Sequence, residues 1–262
     1  MLASHPVIFF LVVLGIGFIS VFVMLVFAFF AAIISIKMYS IKNMDINSDT
    51  YDSKDRKFIY RFIKRVFDFI CSLLFLVCLI PVFFIISCVI KFEDHGPVVY
   101  GHQRVGKYGN PITIFKFRTM REGAELSEEF LTYEQIQQYH HEFKIDHDPR
   151  ITRTGRFLRM TSLDELPQLW NVLKGEMSIV GPRPLVQEEL FSKYTYEERR
   201  RLLSVRPGMT GLWQVNGRNT CTYESGKRQK LELAYIERQG FLIDISIMIK
   251  TLSAVWKRSG AW

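Results

Sequence analysis

The chain has 262 residues, 48% of them hydrophobic, and a formal net charge of +8. That length accommodates one globular domain plus membrane segments and excludes two full domains. The positive balance selects a partner that carries phosphates, and the long apolar runs make anionic lipid a simpler choice than nucleic acid. The four cysteines, Cys71, Cys78, Cys88 and Cys221, contain no CxxC pair, which argues against a disulfide framework and against a zinc site.

The first apolar run, Val7 to Ile36, contains no Asp, Glu, Lys or Arg. As a helix it would be ~45 Å long, enough to cross a hydrocarbon core of ~30 Å with tilt. A signal peptide would need a basic start and a shorter apolar region, so the run reads as one N-terminal transmembrane anchor. Lys37 and Lys42 follow it and place its C-terminal end in the cytoplasm. Asn43 to Asp55 is polar and reads as a linker. Arg56, Lys57, Arg61, Lys64 and Arg65 then lead into a second run, Phe69 to Ile90, which is free of charge but carries Pro81 near its middle. A mid-helix proline removes a hydrogen bond and clashes with the preceding turn. Lys91, Arg104, Lys107, Lys116, Arg118 and Arg121 follow the run, so both of its ends favour the cytoplasmic side. A helix that bends at Pro81 and returns to the leaflet it entered satisfies both ends; a kinked transmembrane helix is the competing reading.

Beyond Gly96 the periodicity becomes strand-like. Val98–Tyr100 and Ile112–Phe117, separated by turn residues Gly106–Pro111, predict one β-hairpin, and nothing points to a parallel sheet. Glu122 to Lys144 is polar and helix-prone. Its neighbourhood holds His140, His141 and His147, at spacings that suit solvated helix surface better than a metal site. Near the C-terminus, Ile245, Met248, Ile249, Leu252 and Trp256 share one helical face, interrupted by Asp244, Lys250 and Lys257. That face fits either core packing or a helix lying in the membrane interface.

The chemistry concentrates between Asp148 and Pro184. Asp164 and Glu165 are adjacent at an expected helix start, with Arg150, Arg153, Arg156, Arg159 and Arg183 nearby in sequence. A structural reading exists: Ser162 and Glu165 match the S-x-x-E capping box. It explains Glu165 and leaves Asp164 and the arginines without a role. Adjacent carboxylates cannot easily flank a glycosidic bond, which needs ~5 to 9.5 Å between them. They can share a metal and a phosphorus, one attacking while the other positions it.

From about Arg61 to Trp262 the chain resembles the bacterial sugar transferase family, the monotopic polyprenyl-phosphate phosphoglycosyl transferases. The resemblance rests on ordered blocks: KRVFDFICSLLFLVCLIP (Lys64 to Pro81), GPVVYGHQRVGKYGNPITIFKFRTM (Gly96 to Met120), DPRITRTGRFLRMTSLDELPQLWNVLKGEMSIVGPRP (Asp148 to Pro184), RPGMTGLWQVNGRN (Arg206 to Asn219) and a terminal RSGAW. It implies transfer of a sugar-1-phosphate, with glucose or galactose favoured, from a UDP-sugar to undecaprenyl phosphate with release of UMP, the first membrane step of a cell-surface glycan. By similarity Asp164 is the nucleophile that forms an aspartyl-phosphosugar and Glu165 supports it, while magnesium, the implied cofactor, is held by Asp164. Arg159 matches a phosphate contact. Lys116, Arg118, Arg183, Gln214 and Arg218 match nucleotide or diphosphate contacts, each with a membrane-surface or salt-bridge role as the structural alternative. Pro182 and Pro184 stiffen their loop. Three features depart from the family pattern: Ile80 where relatives often carry Ser before the membrane proline, Glu232 where many carry Asp before Tyr235, and a single N-terminal transmembrane helix.

The resulting expectation is an α+β, mainly helical, membrane-associated domain with a small β-hairpin, a re-entrant helix at about 66–90, interfacial amphipathic helices and one N-terminal transmembrane helix. Residues 1–58 form the anchor and linker and residues 59–262 the catalytic domain, on the cytoplasmic face of the bacterial inner membrane. The partners are UDP-sugar, undecaprenyl phosphate and the bilayer, with no nucleic acid; a homodimer is allowed. A lipid substrate favours the interface for the last helix, with Trp256 at headgroup level. The other class of reading is a basic, membrane-anchored scaffold or nucleic-acid binder in which the two carboxylates only cap a helix; no nucleic-acid-binding signature accompanies it.

Overall fold

The computed structural model describes residues 52–124, 130–143, 145, 147–217 and 221–256. The run Val7–Ile36, with the anchor and orientation read from it, lies outside the described residues. Helix α1 (Asp52–Cys78) starts within the segment read as linker and carries the basic approach into the second apolar run. Helix α2 (Ile80–Asp94) leaves it at a bend of 60°.

Pro81 sits in the first turn of α2, where its missing N–H removes no helical bond. At the break, the Leu79 N–H donates to the Phe75 carbonyl at 2.9 Å and the Leu79 carbonyl accepts from the Phe83 N–H at 2.8 Å. The bend therefore centres on Leu79, two residues before the expected point, and backbone bonds span it without a hydroxyl at position 80. No single helix among the described residues is long and apolar enough to cross a membrane. The bent pair Phe58–Cys78 with Ile80–Glu93 has the length and composition to enter one, and Phe62, Ile70, Phe84, Ile85 and Phe92 are exposed along it.

Strands β1 (Val99–Val105) and β2 (Pro111–Phe117) form the expected antiparallel hairpin, with Val99 opposite Phe117 and Val105 opposite Pro111. After it come α3 (Tyr133–Glu142), α4 (Arg153–Thr161) and α5 (Gln168–Lys174). Among the described residues of the polar stretch 122–144, the helix is α3, which opens on a capping box between Thr132 and Gln135. Alternation along β2 directs Ile112 and Ile114 onto Val172 and Met177, while Phe117 packs with Ile86, Ile90 and Leu158. The hairpin is thus clamped between α5 on one face and α2 with α4 on the other.

A short parallel pair joins β3 (Ser178–Val180) to β4 (Gly208–Thr210), which corrects the expectation that no parallel pairing occurs. Between them lie α6 (Gln187–Lys193) and α7 (Tyr196–Leu202). A Cβ on Gly208 would sit 2.1 Å from the Gly181 backbone nitrogen, so this approach requires glycine. Helices α8 (Leu212–Gly217), α9 (Lys227–Arg238) and α10 (Phe241–Trp256) complete the described chain.

The face expected along α10 divides. Ile247 is buried and Met248 packs beside it, whereas Ile249 and Leu252 point outward. Asp244, read as an interruption, is buried and accepts from Tyr60, Lys64 and Tyr235 at 2.8, 2.7 and 2.9 Å. The side chain of Trp256 lies outside the described residues. Helix α1 is further fixed to the domain by Asp68, which accepts from Ser178 Oγ at 2.7 Å and from the Ile179 N–H at 3.1 Å.

Candidate active site

The turn that carries the two carboxylates begins where α4 ends. Ser162 takes a left-handed backbone, φ 56°, and its N–H closes the helix on Arg159 and Leu158. A 3₁₀ turn, Leu163–Glu165, follows, and α5 starts only after Pro167. Ser162 makes no side-chain cap bond, so the capping-box reading is overturned: the residue terminates one helix rather than starting the next. The expected helix start at Asp164 is accordingly a separate tight turn.

Glu165 is held from the hairpin, its Oε1 2.7 Å from Lys116 Nζ. Asp164 is buried, 7% exposed. The register between β2 and the turn is set by Asn171, which is fully buried. Its Oδ1 accepts from the Phe115 N–H at 3.1 Å, and its Nδ2 donates to the Thr113 carbonyl and to Glu176 Oε2, both at 2.7 Å. This side chain bonds the backbone immediately before Lys116 to the helix immediately after Glu165. The motif PQLWNVLKG thus encodes a brace as well as a helix.

Helix α4 approaches the same strand end because residue 155 lacks a side chain; a Cβ there would lie 2.0 Å from the Thr119 carbonyl oxygen. That contact brings Arg159, whose Nε donates to Thr119 Oγ1 at 3.0 Å. Arg118 Nε donates to the Pro97 carbonyl at 2.6 Å. Lys116 thus reaches Glu165 directly, while Arg118 is held at Pro97 and Arg159 at Thr119, at the end of the same strand. The other arginines of the region separate from them. Arg150 forms a buried bidentate pair with Asp148, 2.8 and 2.6 Å, and Arg153 and Arg156 are exposed. Burial alone would raise Asp148, but the Arg150 hydrogen bonds and charge prevail and hold its carboxyl below the usual range.

Arg183 and Gln214 belong to a second basic cluster, and Arg218 lies outside the described residues. Arg183 lies over the Trp213 ring at 5.7 Å, and Arg228 stacks on Trp213 and Tyr223 at 4.2 and 4.0 Å. Glu189 ties the cluster together, accepting from Arg228 at 2.7 Å and from the Tyr223 hydroxyl at 2.6 Å, with Arg104 at 3.6 Å. Buried Arg104 Nε, Arg228 Nε and Gln214 Oε1 have no hydrogen-bond partner among the described residues, which leaves polar capacity for a ligand. Burial, then the Arg183 charge, brings Arg104 down to about 10. Glu232, fully buried, accepts the Arg183 N–H on its two oxygens at 3.3 and 3.2 Å; burial pushes it up to about 7, against the opposing pull of Arg228 and Arg183. Glu232 thus supports the loop that carries Arg183. Sequence reasoning missed Arg228 and Glu189, and counted Arg104 only as a flanking charge, because their meeting depends on how α6 and α9 pack around the hairpin.

The donor set around the dyad is oxygen alone. Among the described residues no group of three or more His, Cys, Asp or Glu is placed to hold a metal ion. Two adjacent carboxylates fit a magnesium ion that keeps waters and borrows ligands from substrate phosphates, rather than an all-protein cage.

The profile of the family described as bacterial sugar transferase matches residues 59–258. Over 205 residues the chain is 44% identical to the undecaprenyl-phosphate galactose phosphotransferase of Salmonella typhimurium, covering 77% of this chain and 42% of that protein. It is 43% identical to the UDP-galactose-lipid carrier transferase of Erwinia amylovora, covering 77% and 42%. It is 40% identical to the exopolysaccharide production protein ExoY of Sinorhizobium fredii, covering 76% of this chain and 88% of that one. The chain thus spans less than half the length of the first two relatives.

Proposed function

This chain belongs to the bacterial sugar transferase family, and on that premise we propose that it transfers a hexose-1-phosphate from a UDP-sugar to undecaprenyl phosphate at the bacterial inner membrane. The observation that carries the reading is the split between the two adjacent carboxylates: Glu165 is tethered by Lys116 at 2.7 Å, while its neighbour Asp164 sits buried in the turn between α4 and α5. Of two adjacent carboxylates, one can position while the other attacks.

In the first step an Asp164 carboxylate oxygen bonds to the sugar-side phosphorus, the bridging P–O bond breaks, and the electron pair leaves with UMP. In the second, a phosphate oxygen of undecaprenyl phosphate attacks that phosphorus and releases the Asp164 carboxylate. A carboxylate attacks as its anion, so a carboxylate nucleophile requires no separate base to take a proton in the step. Its difficulty is repulsion from an anionic diphosphate, which Lys116, Arg118 and Arg159 reduce from the dyad side and Arg183 from the second cluster. Magnesium would be held by Asp164 and would supply further charge neutralisation. Galactose is the favoured sugar, since two of the relatives act on it by name, and glucose is the other arm of the test. The exposed apolar residues along the α1–α2 pair support attachment to the lipid phase that carries the acceptor, and the basic residues flanking both ends of that pair support a catalytic domain on the cytoplasmic side.

The test is a burst experiment. UDP-galactose or UDP-glucose without lipid acceptor should release UMP in an amount equal to the enzyme, and Asp164→Asn should abolish the burst in a protein that remains folded and membrane-bound. If UMP formation instead requires undecaprenyl phosphate, or the Asn variant retains the burst, Asp164 is not the nucleophile.

A further inference from the structure

His102 lies midway along β1. Residues opposite each other in an antiparallel pair share a face, and Tyr100 is opposite Lys116, so Tyr100, His102, Arg104 and Lys116 share one side of the hairpin. His102 therefore stands between the lysine that holds the dyad and the arginine cluster around Glu189. Arg104 Nη2 is 3.4 Å from His102 Nδ1. A guanidinium can only donate, so Nδ1 accepts and the ring hydrogen resides on Nε2. The Tyr100 ring packs edge-on at 6.0 Å, and Nε2 has no hydrogen-bond partner among the described residues.

The groups facing the ring keep it neutral. Burial, then the charges of Arg104, Lys116 and Arg183, brings its pKa down to about 4, against the opposing charge of Glu189. Arg104 does not need the imidazole for charge compensation, since Glu189 already faces it at 3.6 Å. A neutral ring with one donor to spare, beside three cations, has the chemistry of an oxyanion contact.

We propose that His102 is a substrate-contacting residue whose Nε2–H donates to a phosphate oxyanion held between Lys116 and Arg183. The inference rests on the reading of this site as one that takes a diphosphate-linked sugar donor and a lipid phosphate acceptor, either of which could bring that oxyanion. It adds a role for a strand residue that lies outside the dyad and its flanking arginines.

Full-length protein in lipid nanodiscs carries the test, with His102→Phe to remove the donor and His102→Gln to keep a neutral one. Initial rates are measured while UDP-galactose and undecaprenyl phosphate are varied in turn. The Phe variant is expected to raise the KM of one of them about tenfold, the loss of one charge-assisted hydrogen bond, while Gln recovers most of it. A rise in the UDP-galactose KM assigns the oxyanion to the donor, and a rise in the undecaprenyl-phosphate KM assigns it to the acceptor. Both KM values within twofold of wild type, or a Gln variant as impaired as Phe, overturns the proposal. A second arm needs no turnover and so separates this contact from the reaction itself. In ¹⁵N-histidine protein, the signal missing from the Gln variant identifies His102. It should report hydrogen on Nε2, and its pKa should rise from about 4 when inorganic pyrophosphate is added, because a bound anion favours the imidazolium. Hydrogen on Nδ1, or a pKa indifferent to pyrophosphate, refutes the contact even if the enzyme turns over. A wild-type protein that releases no UMP but passes the pyrophosphate test refutes the reaction and keeps the contact.

Discussion

Replacing Asn171 with Leu tests whether the dyad and the hairpin are held in register by one side chain. Asn171 is fully buried and bonds to the Phe115 N–H, the Thr113 carbonyl and Glu176. Leucine keeps the volume and leaves two backbone groups unpaired in the interior. Each orphaned group costs about 1–3 kcal/mol, so the variant should lose about 2–5 kcal/mol. Glu176 adds little, because it retains Lys174 at 2.7 Å and is partly exposed. For a domain of roughly 200 residues each kcal/mol moves Tm by about 2–4 °C, which places the midpoint about 5–15 °C lower. The assay is thermal unfolding followed by circular dichroism, in one detergent and at one scan rate, because membrane proteins often unfold irreversibly. Asn171→Asp, although nearly isosteric, should be at least as damaging, since its second oxygen would face the Thr113 carbonyl and the Glu176 carboxylate. Turnover measured below both midpoints should fall as Lys116 and Glu165 lose register. A Tm within about 1 °C of wild type with undiminished turnover would refute the brace.

Two further outcomes are expected. Glu232 has a folded-state pKa of about 7 against an ordinary 4.5, so its contribution to stability is fully present below pH 4.5 and is lost as pH rises to about 7, a difference of about 3 kcal/mol. Glu232→Gln, which mimics the protonated form and keeps an acceptor for the Arg183 N–H, should gain Tm over wild type progressively from pH 5 to pH 8; a constant offset across that range contradicts the assignment. Pro81→Leu removes the ring that would clash with the preceding turn in a continuous helix, and should let the 60° bend straighten. Single cysteines at Asn47 and Asn110, in a background without the native four, should label from the same side of the membrane in the parent. A fraction of Pro81→Leu should label from opposite sides, and opposite labelling in the parent would establish a full crossing.

What was legible in the sequence was what local chemistry specifies. The charge-free run with Pro81 predicted a bent helix, and the bend forms two residues early because proline is best accommodated in the first turn of the second segment. Alternation in ITIFKF with the Gly–Asn–Pro turn predicted the hairpin. Of the FKFRTM cations, Lys116 meets Glu165 of the Asp164-Glu165 pair, and Arg118 turns to the Pro97 carbonyl. Ser162 misled, because the S-x-x-E pattern does not reveal that its first residue will adopt φ 56° and close the preceding helix. The parallel pair was illegible because three-residue strands carry no periodicity and are specified by glycines in contact at Gly181 and Gly208. Asp244 looked like a break in an apolar face because its partners, Tyr60 and Lys64, lie about 180 positions earlier in the chain. Glu189 and Arg228 were missed for the same reason: long-range partners make a buried ion pair, and neither has a local signature.

The distribution of polar bonds along α1 explains how the bent helix pair and the proposed site act as one object. Arg65 donates to the Val172 and Leu173 carbonyls at 2.7 and 2.8 Å, satisfying the C-terminus of α5, where carbonyls lack helical partners and the dipole favours a cation. Only Leu166 and Pro167 separate the N-terminal end of the same short helix from Asp164 and Glu165. A seven-residue helix spans only ~10 Å, so the guanidinium on α1 and the carboxylates of the dyad are fixed at the two ends of one rigid strut. Asp68, one turn further along α1, grips β3, and Lys64, the residue before Arg65, grips α10 through Asp244. These three anchors lie within two turns on one side of α1, away from the exposed Phe62 and Ile70. The depth and tilt at which the apolar face meets lipid therefore fix the height of the dyad relative to that surface. A phosphate carried on a lipid has little freedom along the membrane normal, and a nucleophile serving it must be held at a defined height. The bonds from α1 to α5, β3 and α10 meet that requirement within the described chain.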